Sequence, residues 1–164
     1  MKACRITVAV LTLSDKGSRG ERADLSGPAI GEMLGGIGAE VRFTEILPDE
    51  KTVIKEKLVE YARKVDLVIT TGGTGLGPRD VTPDATLEVI EREIPGIPEA
   101  MRAEGMKKTS RSMLSRAVAG VRGGTLILNL PGSPTAVREN LSVVLDVIPH
   151  AIEKIKGSIE ECAR

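Results

Sequence analysis

The chain has 164 residues, of which 41% are hydrophobic and almost all of those aliphatic, with one Phe, one Tyr and no Trp. A chain of this length buries most of its unfolded surface without disulfides, so a single domain over residues 1–164 is expected. Lys plus Arg equals Asp plus Glu at 23 each, which gives no general electrostatic grip on nucleic acid, and the scarcity of aromatics leaves no base-stacking platform.

The start, MKACRITVAVLTLSD, lacks the build of a cleavable signal peptide, and the apolar run from Ile6 to Leu13 is far too short to span a bilayer. A cytoplasmic protein without membrane contact is expected. Cys4 and Cys162 stand near opposite ends of the sequence, in neither a CxxC pair nor a disulfide framework. With a single His besides, the expected metal is a hard cation on carboxylates rather than zinc.

Along the chain, Arg5 to Leu13 predicts a first strand buried on both faces. Ser14 to Asp24 is a polar, glycine-containing loop longer than a plain connection needs, a candidate binding loop or lid. Ser26-Gly27-Pro28 opens a helix to about Gly35, and Val41, Phe43 and Ile46 mark a second strand ending at Leu47-Pro48-Asp49. The next helix runs through EKTVIKEKLVEYARK, with Val53, Ile54, Leu58 and Tyr61 on one stripe. Asp66-Leu-Val-Ile-Thr is a third buried strand, and it feeds TTGGTGLGPRDVTPDAT, Thr70 to Thr86.

In the helix that follows, Thr82 is placed to cap, Pro83 fits the first turn and Asp84 suits the positive end of the dipole. This helix is expected to reach about Glu93. A Pro-rich link, IPGIPEA, leads to a helix whose Met101 and Met106 read as core filling. TSRSMLSRAV is turn-like, and Thr125 to Leu130 is the last clear strand. Ser133 and Pro134 then cap and start a helix carrying Val137, Leu141, Val144 and Leu145, and a final amphipathic helix follows from His150.

Strands alternating with helices predict an α/β fold: a mainly parallel sheet with helices on both faces, in three layers. In such a sheet the loops after the strands gather along one edge, where ligands bind. Four loops here are therefore expected to converge: the one from Ser14-Asp15, Pro48-Asp49, the glycine loop, and Pro131-Gly132-Ser133.

Four glycines between Gly72 and Gly77 free the backbone N–H groups to point at one spot, and the following helix adds its positive end, which favours an anion such as phosphate. Neither GxxxxGK[ST] nor GxGxxG occurs, so Walker-type and dinucleotide readings lose their support. Asp49 and Asp80 lie at the ligand edge beside this cradle, the arrangement that suits Mg²⁺ shared with phosphates. Each also has a plain structural counterpart, Asp49 as a helix N-cap and Asp80 as a partner of Arg79 or a cap near Thr82. Arg79 itself either neutralises phosphate or solvates its loop. Ser14, Ser115 and Ser133 have no His close in sequence, which disfavours a Ser-His nucleophile, and His150 reads as a surface or capping residue.

Ser14-Asp15, Asp24-Leu-Ser-Gly-Pro28, Pro48-Asp49-Glu50, Thr71-Gly-Gly-Thr-Gly75, Arg79-Asp-Val-Thr-Pro-Asp-Ala-Thr86, Leu114-Ser-Arg116 and Asn129-Leu-Pro-Gly-Ser-Pro134 follow one another along almost the whole chain. In these motifs the chain resembles the molybdopterin adenylyltransferases of molybdenum-cofactor biosynthesis, related to the N-terminal domain of gephyrin. GGTG followed by RDVTPDAT is the specific part. The resemblance implies the molybdenum-cofactor-biosynthesis type of α/β fold, a homotrimer, and hand-over of product to the molybdate-insertion protein. It also implies transfer of AMP from ATP to the terminal phosphate of molybdopterin, with Mg²⁺ and release of pyrophosphate.

Asp49 and Asp80 are then the catalytic and metal-binding pair. The substrate-binding set comprises Ser14, Asp15, Gly72, Gly73, Thr74, Gly75, Arg79, Thr82, Ser115, Pro131, Gly132 and Ser133. Three relatives of the same fold are the alternatives. The molybdate-insertion protein is a longer multidomain chain, and the competence-damage-related nucleotide-cleaving enzymes have a different glycine loop. The third alternative, a non-catalytic pterin-binding or scaffold module, is opposed by the retention of both acids.

Overall fold

A computed structural model describes residues 5–157; Cys4 and Cys162 lie outside them. The strands are β1 (Thr7–Leu13), β2 (Glu40–Leu47), β3 (Leu67–Thr71), β4 (Arg92–Glu93), β5 (Ala119–Arg122) and β6 (Thr125–Leu130). The helices are α1 (Asp15–Ser18), α2 (Ser26–Gly35), α3 (Lys51–Tyr61), α4 (Thr82–Val89), α5 (Gly96–Met106), α6 (Pro134–Val144) and α7 (Val147–Ile155), with a 3₁₀ turn over Ser110–Leu114. One sheet runs β2-β1-β3-β6-β5-β4. The first four of these are parallel; β5 runs antiparallel to β6, and β4 antiparallel to β5.

The period-2 alternation of a strand explains the layers. Val8, Val10, Leu67, Ile69, Leu126 and Leu128 face one side, where α2, α5, α6 and α7 add Ile30, Leu34, Met101, Leu141 and Ile148. Ala9, Leu11, Val68 and Ile127 face the other, against Ile54 and Leu58 of α3 and Ala85 and Val89 of α4. From β1 the chain moves outward to β2 through α2, then returns through α3 to β3 on the far side of β1. Right-handed crossovers in opposite directions place those two helices on opposite faces. Connections diverge between β1 and β3, which makes their C-terminal ends the topological switch point where open sheets form a crevice. The expected three-layer, mainly parallel α/β architecture is therefore present.

Several boundaries differ from expectation. The helix after Thr82 stops at Val89, because Ile90 is extended and Glu91 and Ile94 instead donate to Val121 and Ala119 of β5. That pairing creates β4; the turn-like stretch TSRSMLSRAV contains the 3₁₀ turn, and β5, which the sequence reading did not anticipate, follows directly after it. The IPGIPEA link is already helical from Gly96. The last helix begins at Val147, three residues before His150; Pro149 fits its first turn, where N–H groups have no helical partner. Met101 is core, whereas Met106 is 46% exposed. No helix among the described residues is long and apolar enough to cross a membrane.

Candidate functional site

Four strand-end loops meet around a cleft of about 370 Å³. Its walls carry Ser14 from the loop after β1, Asp49 after β2, Gly72, Gly73 and Asp80 after β3, and Gly132 and Ser133 after β6. The loops are stitched by close approach. Gly72 is at φ +103, and a Cβ there would lie 2.5 Å from the carbonyl oxygen of Leu13; a Cβ on Gly132 would lie 3.3 Å from Gly72 Cα. Ser26 Oγ donates to the Gly132 carbonyl at 2.7 Å, and Thr71 Oγ1 to the Pro131 carbonyl at 2.7 Å.

The glycine loop has its carbonyls and its N–H groups assigned to different tasks. Thr82 N–H donates to Gly73 O at 3.2 Å, Arg116 N–H to Thr74 O at 2.9 Å, and Arg116 Nε to Gly75 O at 2.9 Å. Arg116 Nη2 also donates to Asp80 O at 2.6 Å, while both terminal nitrogens reach the Asp84 carboxylate, whose pKa this pairing lowers. The N–H groups of Gly73, Thr74, Gly75 and Leu76 donate to no other described residue. Carbonyls engaged by Thr82 and Arg116 leave a run of free amide donors, which is the makeup of an anion nest.

Asp80 sits within this loop. Its Oδ2 accepts from Gly77 N–H at 2.8 Å, and Cβ atoms on Gly75 or Gly77 would lie 2.9 or 2.8 Å from that oxygen. Two of the glycines are thus required to seat the carboxylate. Neither structural counterpart for Asp80 is formed: Arg79 pairs elsewhere, and α4 has no side-chain cap.

Asp49 is no helix cap either, since Glu50 holds the N-cap position of α3 and caps nothing with its side chain. Asp49 Oδ2 accepts from Asp15 N–H at 3.0 Å, and Asp49 N–H donates to Asp15 Oδ1 at 3.0 Å. Arg79 grips Asp15 through Nε at 3.0 Å and Nη2 at 2.8 Å. Asp49 Oδ1 and Asp80 Oδ1 accept no hydrogen bond from any described residue. Each acid is therefore fixed through one oxygen and open at the other.

Burial pushes the Asp49 carboxyl above its ordinary range, and the charges of Asp15 and Asp80 add to the effect, against the Asp15 N–H and the Arg79 charge. The Arg79 fork holds Asp15 below its ordinary range. A raised folded-state value means that the folded protein holds the Asp49 proton more tightly than the unfolded chain does. That stabilisation is complete below the unfolded pKa and is lost as pH rises through the folded one. Asp49→Asn keeps an acceptor for Asp15 N–H and removes the ionisation. It is expected to melt above wild type at pH 7, with the difference closing as pH falls below the ordinary carboxylate range. A lower melting temperature at pH 7 would contradict this.

Asp15, Thr74, Gly75, Arg79, Thr82, Ser115 and Pro131 do not line the cleft. Thr82 lies inside the first turn of α4, after Val81 at the N-cap, so it does not cap. Its buried Oγ1 has no hydrogen-bond partner and abuts the position a Gly73 Cβ would take. Ser115 is spent on local structure: its Oγ accepts from Ala117 N–H at 3.3 Å and its carbonyl from Arg102. Ser14 and Ser133 do line the cleft and also cap, accepting from Gly17 and Ala136 N–H.

Three residues escaped the sequence-based site set. Arg116, like Asp24 quoted there only as part of a motif, orders the glycine loop with its side chain from 36 to 41 residues away. Asp24 lines the cleft and accepts from Ser26 and Gly27 N–H and from Thr12 Oγ1. An Asp just ahead of a helix start was the available signal, and it is also ordinary cap chemistry. Arg22 lines the cleft from the loop after α1, with nothing in its surroundings in sequence to single it out.

A family model described as "Probable molybdopterin binding domain" matches residues 9–150. The chain is 41% identical over 157 residues to the molybdopterin adenylyltransferase of Helicobacter pylori, covering 93% of this chain and 89% of that protein. It is 40% identical over 157 residues to the molybdenum cofactor synthesis protein cinnamon of Drosophila melanogaster, covering 94% of this chain but only 26% of that longer protein. Among solved structures, the molybdopterin biosynthesis enzyme MoaB from Thermus thermophilus is similar at a TM-score of 0.88 and 53% identity, with 93% of this chain and 98% of that one covered.

Proposed function

The chain belongs to the molybdopterin-binding domain family of molybdenum-cofactor biosynthesis, and on that premise we propose that it is a molybdopterin adenylyltransferase, one domain over residues 1–164 that takes ATP and molybdopterin as substrates. The observation that carries the reading is the cleft with the glycine loop that borders it: two carboxylates in the wall, each open at one oxygen, and a run of free amide donors that begins at Gly73 in that wall.

The chemistry needs little from a general base. A phosphate monoester is mostly dianionic near neutral pH, so the terminal phosphate of molybdopterin is already a nucleophile. One of its oxygens bonds to the α-phosphorus of ATP, the bond from that phosphorus to the bridging oxygen breaks, and pyrophosphate leaves with the electron pair. What remains for the protein is alignment and charge neutralisation. The Gly73 N–H in the cleft wall holds a phosphate oxygen, and Gly132 and Ser133 close the opposite wall.

Asp49 and Asp80 would hold Mg²⁺. Among the described residues no group of three or more His, Cys, Asp or Glu side chains is placed to hold a metal. Two open carboxylate oxygens fit a cation that takes its other ligands from phosphates and water, as Mg²⁺ characteristically does. When bound, that ion neutralises charge on the reacting phosphates. The same reading makes the protein cytoplasmic, trimeric and the donor of adenylylated molybdopterin to the molybdate-insertion protein.

The test is incubation of the purified protein with molybdopterin, ATP and Mg²⁺. Adenylylated molybdopterin and pyrophosphate are expected in equal amounts. Binding of molybdopterin without turnover would overturn the enzyme reading in favour of a binding module, and hydrolysis of free nucleotide would overturn it in favour of a nucleotide-cleaving relative.

A further inference from the structure

The two acids sit on different loops, and no hydrogen bond joins them. Their charges repel, and each lies on a segment outside the strand ladders, so something else must set their separation. A continuous chain of bonds connects them. Asp80 follows Arg79 directly; Arg79 holds Asp15 through a two-pronged ion pair at 3.0 and 2.8 Å; and Asp15 exchanges two bonds with Asp49 at 3.0 Å each. Ser14 N–H donates to Leu47 O at 2.8 Å, so the Asp15–Asp49 exchange extends the β1–β2 pairing beyond the strand ends.

We infer that Arg79 and Asp15 are positioning residues, a strut that fixes Asp49 relative to Asp80, and are not substrate ligands. Neither residue lines the cleft, and among the described residues the hydrogen bonds of the Arg79 guanidinium all go to Asp15. The strut runs through the loop after β1 and joins the loops after β2 and β3, the two that carry the open carboxylates and the free amides. A flat guanidinium gripping a carboxylate at two points fixes orientation as well as distance, which a Lys at the same place does not. An isolated surface ion pair contributes little to stability, and Arg79 and Asp15 are 58% and 28% exposed at the side chain. Their value therefore lies in geometry, and the variants are expected to fold.

The inference rests on the proposed adenylyl transfer for its kinetic test but not for its structural one. Arg79→Ala, Asp15→Ala and the double variant are compared with wild type at saturating Mg²⁺. Each single change is expected to lower kcat about 10- to 100-fold, as loss of an outer partner of a metal-binding group does, with KM for both substrates within about threefold. The double variant is expected to be no more than about threefold worse than the weaker single, because both changes break one strut. Arg79→Lys should recover only part of the loss. A raised KM with kcat retained in Arg79→Ala, or losses that multiply in the double variant, would overturn the strut. The second readout is amide hydrogen exchange. Asp49 N–H should lose protection in Arg79→Ala while Gly72 N–H, bonded to Leu130 O at 3.0 Å, keeps its own. Unchanged protection at Asp49 would overturn the strut whether or not the protein transfers adenylyl groups; absence of turnover in wild type would overturn the functional reading alone.

Discussion

Asp80→Asn is expected to cut adenylyl transfer by about two orders of magnitude or more while leaving the fold intact. The geometry separates the two effects. Asp80 Oδ2 is the oxygen that accepts from Gly77 N–H, and an Asn in the same rotamer supplies a carbonyl oxygen to that bond. The backbone of residue 80 is held independently, by its N–H to Gly77 O at 3.0 Å and by Arg116 on its carbonyl. Only the negative charge and the open Oδ1 are lost. In a cleft built for phosphates and a divalent ion, loss of one preorganised charge costs about 10²- to 10³-fold in rate. A half-exposed position with its bonds preserved changes stability by no more than about 0.5 kcal/mol. The check is a single-turnover assay beside a thermal melt; wild-type turnover in the variant would remove Asp80 from the mechanism.

The sequence exposed the parts of this molecule that are set by local physics. β1, β3 and β6 are almost wholly buried and read as largely apolar runs interrupted by Thr and one Asn, and the glycines with Thr-Pro-Asp marked a strand-to-helix turn. β4 stayed hidden because Arg92 and Glu93 are exposed and are good helix formers; only pairing with β5 makes them extended. The two acids were legible, while the reasons for their placement were not. A Pro-Asp-Glu junction reads as a cap, and nothing local shows that Asp49 instead exchanges bonds with a residue 34 positions earlier. The partner of Arg79 is 64 positions away, and Arg116 reaches across 41 to the Gly75 carbonyl. Such pairings are products of topology: the first two join loops at the ends of the neighbouring parallel strands β2, β1 and β3, and the third ties the segment before β5 to the loop after β3.

Gly72→Ala is expected to be the most damaging small substitution in the loop, costing about 3 kcal/mol or more, roughly 6–12 °C in melting temperature for a domain of this size. Two costs combine. At φ +103 an L-residue is strained whatever surrounds it, and the added Cβ would meet the Leu13 carbonyl oxygen at 2.5 Å. That oxygen is backbone at the end of β1, so relief requires the ends of β1 and β3 to part. Parting them moves the floor of the cleft and the Gly132 loop packed on Gly72 Cα. Gly20→Ala is the matched control: its φ is +75, but nothing lies within 4 Å of the added atom, so it carries the backbone cost without the collision. That cost alone is about 1 kcal/mol. Melts of the two variants isolate the contribution of close approach, and equal losses would show that Gly72 is required only for its backbone conformation. A larger loss at Gly72, accompanied by weakened molybdopterin binding, means that the glycine is fixed by the meeting of two strand ends. On that outcome the cleft owes its shape to β1 and β3 as much as to the loop that follows them.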